Sequence, residues 1–147
     1  MQSLLKNCAI DFANAAVTAA SNTDDNSSIF DMSGWDGIMF MVTITDSADT
    51  GVATLTAQEN SANSDTGMTA ITGAAAVATS AANDDLNSML LIVDVYRPRE
   101  RYVQGTITSA TANIAFGETI AIRYRGSKVP ITQSTTTVAT AVAVVGS

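Results

Sequence analysis

The residues best equipped for recognition chemistry lie in one string, Asp94-Val-Tyr-Arg-Pro-Arg-Glu-Arg-Tyr102, which holds three arginines, two tyrosines and two acids. Guanidinium forks match carboxylates, and aromatic rings supply contact area at little entropic cost, so both types are enriched where proteins meet. The same chemistry recurs at Arg123-Tyr124-Arg125. Tyr96, Arg97, Arg99, Glu100, Arg101, Tyr102, Arg123 and Arg125 are therefore the candidate partner-binding residues, and an acidic protein surface is their natural complement. A plainer reading pairs Arg97 and Arg101 with neighbouring acids such as Asp94 or Glu100, contacts that contribute only about 0–1 kcal/mol at a surface. Both readings stay open at the level of sequence.

Other chemistries are excluded or weak on inventory. The chain has no histidine and a single cysteine, Cys8, which removes Ser/His/Asp triads, Cys/His dyads, histidine-ligated zinc and haem. Cys8 lies in Asn7-Cys-Ala-Ile10 and reads as a buried strand thiol. Asp24-Asp-Asn26, Asp46 to Asp49 and Asp84-Asp-Leu-Asn87 lack the spaced ligands and central glycine of a calcium loop and read as polar turns. Nothing marks a carboxylate pair among Glu59, Glu100 and Glu118 for glycoside hydrolysis. Trp35, in Ser33-Gly-Trp-Asp-Gly37, reads as a core plug or lid before a strand, with a sugar-stacking platform as the lesser alternative. The expectation is a non-enzyme with no cofactor and no metal.

These groups must be positioned by strands. Of the 147 residues, 24 are alanine and 20 threonine against six leucines, a small and β-branched composition suited to pleated sheets. Apolar residues recur at period two, most clearly where Ile38, Phe40, Val42 and Ile44 face one way and Met39, Met41, Thr43 and Thr45 the other. At the methionine end both faces of that strand read as covered. Residues 52–58 follow a turn and read as its hairpin partner. Further strands are expected at 7–12, 68–72, 74–82 (a short helix being the alternative), 88–96 as a central strand, and 101–109. A hairpin through Gly117 joins 113–116 to 119–125. About eight short strands predict an all-β fold, an antiparallel β-sandwich of immunoglobulin-like or jelly-roll type, in one domain over 1–147. Residues 1–30 and 131–147 are candidate arms. The uncharged tail from Ser134 is either an outer strand or an arm on a neighbouring subunit, and the polar loop 21–28 reads as mobile.

The net charge of −7 disfavours nucleic acid, whose binding rests on lysine and arginine. Residues 1–94 carry −11 and residues 95–147 carry +4, which invites head-to-tail contact between copies. The most apolar runs span five residues, far short of the roughly 20 of a membrane helix, and residues 1–12 do not read as an export signal. A soluble protein made in the cytoplasm is expected, with neither nucleic acid nor membrane as partner.

The string Met89-Leu-Leu-Ile-Val-Asp-Val-Tyr-Arg-Pro-Arg-Glu-Arg-Tyr-Val103, with Ile120-Ala-Ile-Arg-Tyr-Arg-Gly-Ser-Lys-Val-Pro130, Gly34-Trp-Asp-Gly-Ile-Met-Phe40 and Val52-Ala-Thr-Leu-Thr-Ala-Gln-Glu59, resembles small proteins encoded beside the major capsid protein in tailed-phage genomes. The likeness spans Asp31 to Gln133. It implies a head decoration, or cement, protein: a structural virion component on the outer capsid surface, partnered by the major capsid protein and commonly a homotrimer. A head-tail connector or tail component is the alternative within phage particles, and a carbohydrate-binding adhesion module the alternative outside them.

Overall fold

A computed structural model describes residues 3–144. A short 3₁₀ turn, Leu4–Lys6, precedes ten strands: β1 Cys8–Asn14, β2 Val17–Ala20, β3 Asp24–Asn26, β4 Phe30–Asp31, β5 Gly37–Ser47, β6 Val52–Asn60, β7 Thr69–Thr79, β8 Leu90–Tyr96, β9 Tyr102–Ala110 and β10 Ile114–Tyr124. They form two antiparallel five-stranded sheets. Sheet A runs β1-β10-β5-β8 with β2 on the end of β10, and sheet B runs β3-β9-β6-β7 with β4 beside β9.

First and last strands pair inside one sheet, and successive strands mostly cross between sheets. That connectivity is a jelly roll rather than an immunoglobulin order. The core lies between the sheets because each central strand turns one apolar row inward. Ile38, Phe40, Val42 and Ile44 of β5 meet Ala53, Leu55 and Ala57 of β6 and Val103 and Ile107 of β9, all essentially inaccessible to solvent. Gly105 lets the sheets close: a Cβ there would sit 3.0 Å from the Phe40 ring. Cys8 is buried, and that burial raises its thiol pKa, as expected of a structural thiol.

Several expectations are corrected. Residues 38–45 and 52–58 are not a hairpin. They lie in different sheets, and the turn through Thr50 and Gly51 carries the chain across the core. Both arrangements bury the same inward rows, so periodicity cannot separate them. The strand read as central, now β8, is the outer strand of sheet A, bonded to β5 alone. Gly117 does not turn a hairpin. It sits inside the single strand β10, where the register against β5 slips between Phe116 and Thr119, and a bulge uses glycine as readily as a turn does. Segments 68–72 and 74–82 merge into β7, with Gly73 at φ +81 in the irregular stretch between them.

The N-terminal region is no arm. β1, β2 and β3 pair with β10 and β9, so residues 8–26 belong to both sheets, and the loop read as mobile contains β3. Residues 135–144 form no strand, and the last three residues lie outside the described ones. The root of the tail is held on the rim of β1. Gln133 Nε2 donates to the carbonyls of Leu5 (2.9 Å) and Cys8 (2.6 Å), and its Oε1 accepts from the Ile10 amide at 2.9 Å.

One glycine sets the geometry of the site end. Gly37 pairs with Tyr96 on one side and Tyr124 on the other, and the Tyr124 ring occupies the space a Cβ at 37 would take. Gly37→Ala is expected to cost about 1–3 kcal/mol in urea unfolding, as overpacking does. In a Tyr124→Ala background the same change should cost far less; an equal cost in both would contradict the contact.

Candidate interaction surface

Strand direction gathers the basic residues. β5 starts, and β8 and β10 finish, at one end of the sandwich. That end therefore carries the β4–β5 loop (32–36), the β6–β7 loop (61–68), the β8–β9 loop (97–101), the 3₁₀ turn and the chain beyond Tyr124. All seven basic residues, Lys6, Arg97, Arg99, Arg101, Arg123, Arg125 and Lys128, lie in this half. Seven acids share it: Asp11, Asp31, Asp36, Glu59, Asp65, Asp94 and Glu100. The seven beyond the Leu91–Val42–Thr119 row, Asp24, Asp25, Asp46, Asp49, Asp84, Asp85 and Glu118, have no base among them. The polarity read along the chain is thus spatial, but it runs from neutral to −7. The expected positive region is neutralised by acids that the fold brings to it.

The β8–β9 loop is shaped from below. Glu59 of β6 accepts the backbone amides of Arg99 and Glu100 on one carboxylate oxygen, at 2.9 and 3.1 Å. The Arg97 amide donates to the Asp36 carbonyl at 2.7 Å, with Arg97 at a left-handed φ of +54. These bonds direct side chains 97, 99 and 100 into solvent. Tyr96, half exposed, lies beside two cations, with the guanidinium of Arg97 at 5.2 Å and that of Arg125 at 6.0 Å from its ring. Such contacts contribute about 0.5–1 kcal/mol at exposed sites. Arg125 also approaches Asp36 at 3.4 Å. The Arg99 guanidinium has no partner among the described residues.

Arg101 takes a different course. Its Nε and Nη2 bind the two carboxylate oxygens of Asp31 at 2.9 and 2.8 Å, a bidentate fork, and its guanidinium lies 5.3 Å from the Tyr102 ring. Ion pairing does occur in this loop, though with a residue 70 positions away rather than with Asp94 or Glu100. The fork, together with the Ser33 amide, holds the Asp31 carboxyl at about 2, below its ordinary 3.8. Arg123 points inward. Nη2 meets Asp11 at 3.0 Å, Nη1 donates to the Asp31 carbonyl at 3.3 Å, and the guanidinium lies 5.0 Å from the Trp35 ring and 5.6 Å from Phe30. It locks the sandwich end and is committed to internal contacts. Trp35, partly buried on the core, has that cation against its ring, which fits the plug. Tyr124 reaches over Gly37 to donate to Asp94 at 2.6 Å; burial, then this bond, pushes its pKa well above 10.

The predicted residues therefore divide into three groups. Tyr96, Arg97 and Arg125 form one exposed cluster, with Arg99 and Glu100 beside it in the same loop. Arg101 and Tyr102 form a second around Asp31, and Arg123 is internal. Sequence reasoning did not connect Asp11, Asp31, Asp36 or Glu59 to this end, because each is long-range in the chain and becomes a neighbour only through strand register.

No protein-family model and no curated protein sequence matches the chain. Solved structures do. The PBSX exported protein XepA superposes over 100% of this chain at 16% identity with a TM-score of 0.52, and the chain spans 46% of that protein. A subunit of the disulfide-linked pili of Bacillus endospore appendages matches over 83% of the chain and 91% of its own (16% identity, TM-score 0.43). The infectious bursal disease virus Gx strain structure matches over 84% of this chain and 33% of its own (9% identity, TM-score 0.47). At 16% identity, the likeness to XepA bears on the β-sandwich fold alone.

Arg101→Gln removes the fork on Asp31, so the Asp31 carboxyl, followed by NMR, should rise from about 2 toward 3.8. A carboxylate depressed in the fold stabilises above its unfolded pKa and loses that contribution as pH falls through the folded value. Acid unfolding between about pH 4 and pH 2 should thus become less steep in the variant. The effect is small and weakened by salt, as for any exposed pair. An unmoved Asp31 would contradict the assignment.

Proposed function

We propose that this chain is a structural virion protein that binds the outer surface of a phage capsid and braces it, with no catalytic activity. The observation that carries the reading is the exposed cluster of Tyr96, Arg97 and Arg125 with Arg99, at the one end of the sandwich where basic residues lie. Arginine and tyrosine held on a loop whose backbone is fixed by Glu59 and Asp36 are preorganised for a carboxylate-bearing protein surface. The resemblance of Met89–Val103 and Ile120–Pro130 to phage decoration proteins supports the major capsid protein as that partner. A viral particle repeats its sites many times, so modest affinity per copy becomes firm attachment once copies are linked. The acidic end, with seven acids and no base, then faces away from the shell and keeps decorated particles apart.

The test is co-sedimentation of the purified chain with particles that lack it. Arg97→Glu combined with Arg99→Glu and Arg125→Glu should weaken binding by roughly a hundredfold or more, about 3 kcal/mol, without lowering the unfolding midpoint appreciably. Asp46→Lys with Asp49→Lys, at the opposite end, should leave binding unchanged. Undiminished binding of the triple variant, or loss on changing the acidic end alone, would contradict the proposal.

A further inference from the structure

The two sheets differ on their outward faces. The outward side of sheet B carries Thr54, Thr56 and Gln58 with their cross-strand neighbours Thr108, Thr106 and Gln104; it is polar, and Thr106 and Gln104 are buried there by bonds to Asn26, Ser27 and Asp65. Sheet A presents the opposite. Phe12, Ile120, Met41 and Ile92 are successive neighbours across its four strands, and Ile10, Ile122 and Met39 form the next row, ending on Asp94. Leu90 extends the surface beyond Ile92. Phe12, Ile92 and Leu90 are 43%, 48% and 54% exposed. Asp94, the charge within these rows, is engaged by the Tyr124 hydroxyl at 2.6 Å. Among the described residues a contiguous aliphatic face is therefore left uncovered on the outer side of sheet A, and such patches mark interfaces.

We propose that the outer face of sheet A is the contact between two copies of this chain, packed face to face about a two-fold axis with their long axes opposed. A face of uniform polarity is complementary to itself, as an isologous contact requires. Four strands and three rows, the third holding Tyr124 and Tyr96, cover roughly 15 by 20 Å, and with the surrounding rim a pair buries on the order of 1,000 Å², the lower bound for a specific interface. Charge selects the orientation. Opposed axes set the end with seven acids and no base beside the partner's end with Arg97, Arg99, Arg125 and Lys128, whereas aligned axes would bring two −7 ends together. Sheets stacked about 10 Å apart and rotated by about 30° accommodate the interdigitation. The pair is the state of the free chain in solution: opposed axes point its two arginine ends in opposite directions, so copies that all seat on a shell by that end separate first, and the pair uses two copies where the resemblance to decoration proteins implies three.

Light scattering on the full chain after size exclusion tests it. The expected mass is twice 15.2 kDa, falling to one copy in both Ile92→Glu and Phe12→Glu. These exposed positions lie on outer strands, so circular dichroism and the urea midpoint should show the fold retained. A monomeric wild type at about 50 μM, or an oligomer of any size that both variants leave intact, would overturn the proposal. Spin labels at Asp49→Cys, in the turn at the acidic end, read the orientation. Opposed axes separate them by about 35 Å or more, the length of an eleven-residue strand, and a distance under about 25 Å would overturn the opposed arrangement.

Discussion

Strand β5 is the constraint on which the rest of the molecule depends. Its even-numbered residues from Ile38 to Ile44 are 0–1% exposed and close the space between the sheets, with Phe40 pressed on the backbone of Gly105. Its odd-numbered residues Met39 and Met41 form the middle of the outer face of sheet A. Its first residue, Gly37, leaves room for Tyr124 to cross to Asp94. Register along this one strand therefore decides where β8 and β10 end, and their ends carry the arginines. A slip of one residue would exchange the core row for the outer row.

Electrostatics follows from the same register. Arginines concentrated in the last third of the chain meet acids from its first two thirds: Arg101 with Asp31, Arg123 with Asp11, Arg125 with Asp36. These pairs differ in kind. Arg123 and Asp11 are largely buried and add ring contacts with Trp35 and Phe30, so removing either partner alone would strand a charge. The exposed pairs contribute little stability but restrain loop arginines in geometries ready for a partner. Neutralising the basic end leaves the net −7 concentrated at the other, and the molecule is polar along its long axis.

Much of this was legible in the residues. Period two along Ile38–Thr45 and 88–96 identified strands and most of their buried rows: Ile38, Phe40, Val42 and Ile44 are buried, as are Leu91, Val93 and Val95, whereas Met89, on the same parity, precedes β8 and is half exposed. Topology was not legible. Whether residues 38–45 and 52–58 pair or face each other across a core changes no local preference, and a glycine in β10 reads alike as turn or bulge. The arginine and tyrosine string was recognisable as surface chemistry, yet its acidic partners were not, since Asp31 and Glu59 reach it only through strand pairing. The apolar outer face had a visible trace: Met39 and Met41, Leu90 and Ile92, and Ile120 and Ile122 stand on the non-core parity of three strands. Its continuity required the order β1-β10-β5-β8.

A capsid role and an axially polar molecule make one joint claim: the arginine end meets the shell and the acidic end meets solvent. Cryo-electron microscopy of a phage particle carrying this chain tests it most directly. The expected result is hundreds of copies across the outside of the shell, each with the Arg97, Arg99 and Arg125 loops against the capsid protein and Asp46, Asp49, Asp84 and Asp85 outward. Six or twelve copies at a single vertex, or copies seated by their acidic end, would contradict it.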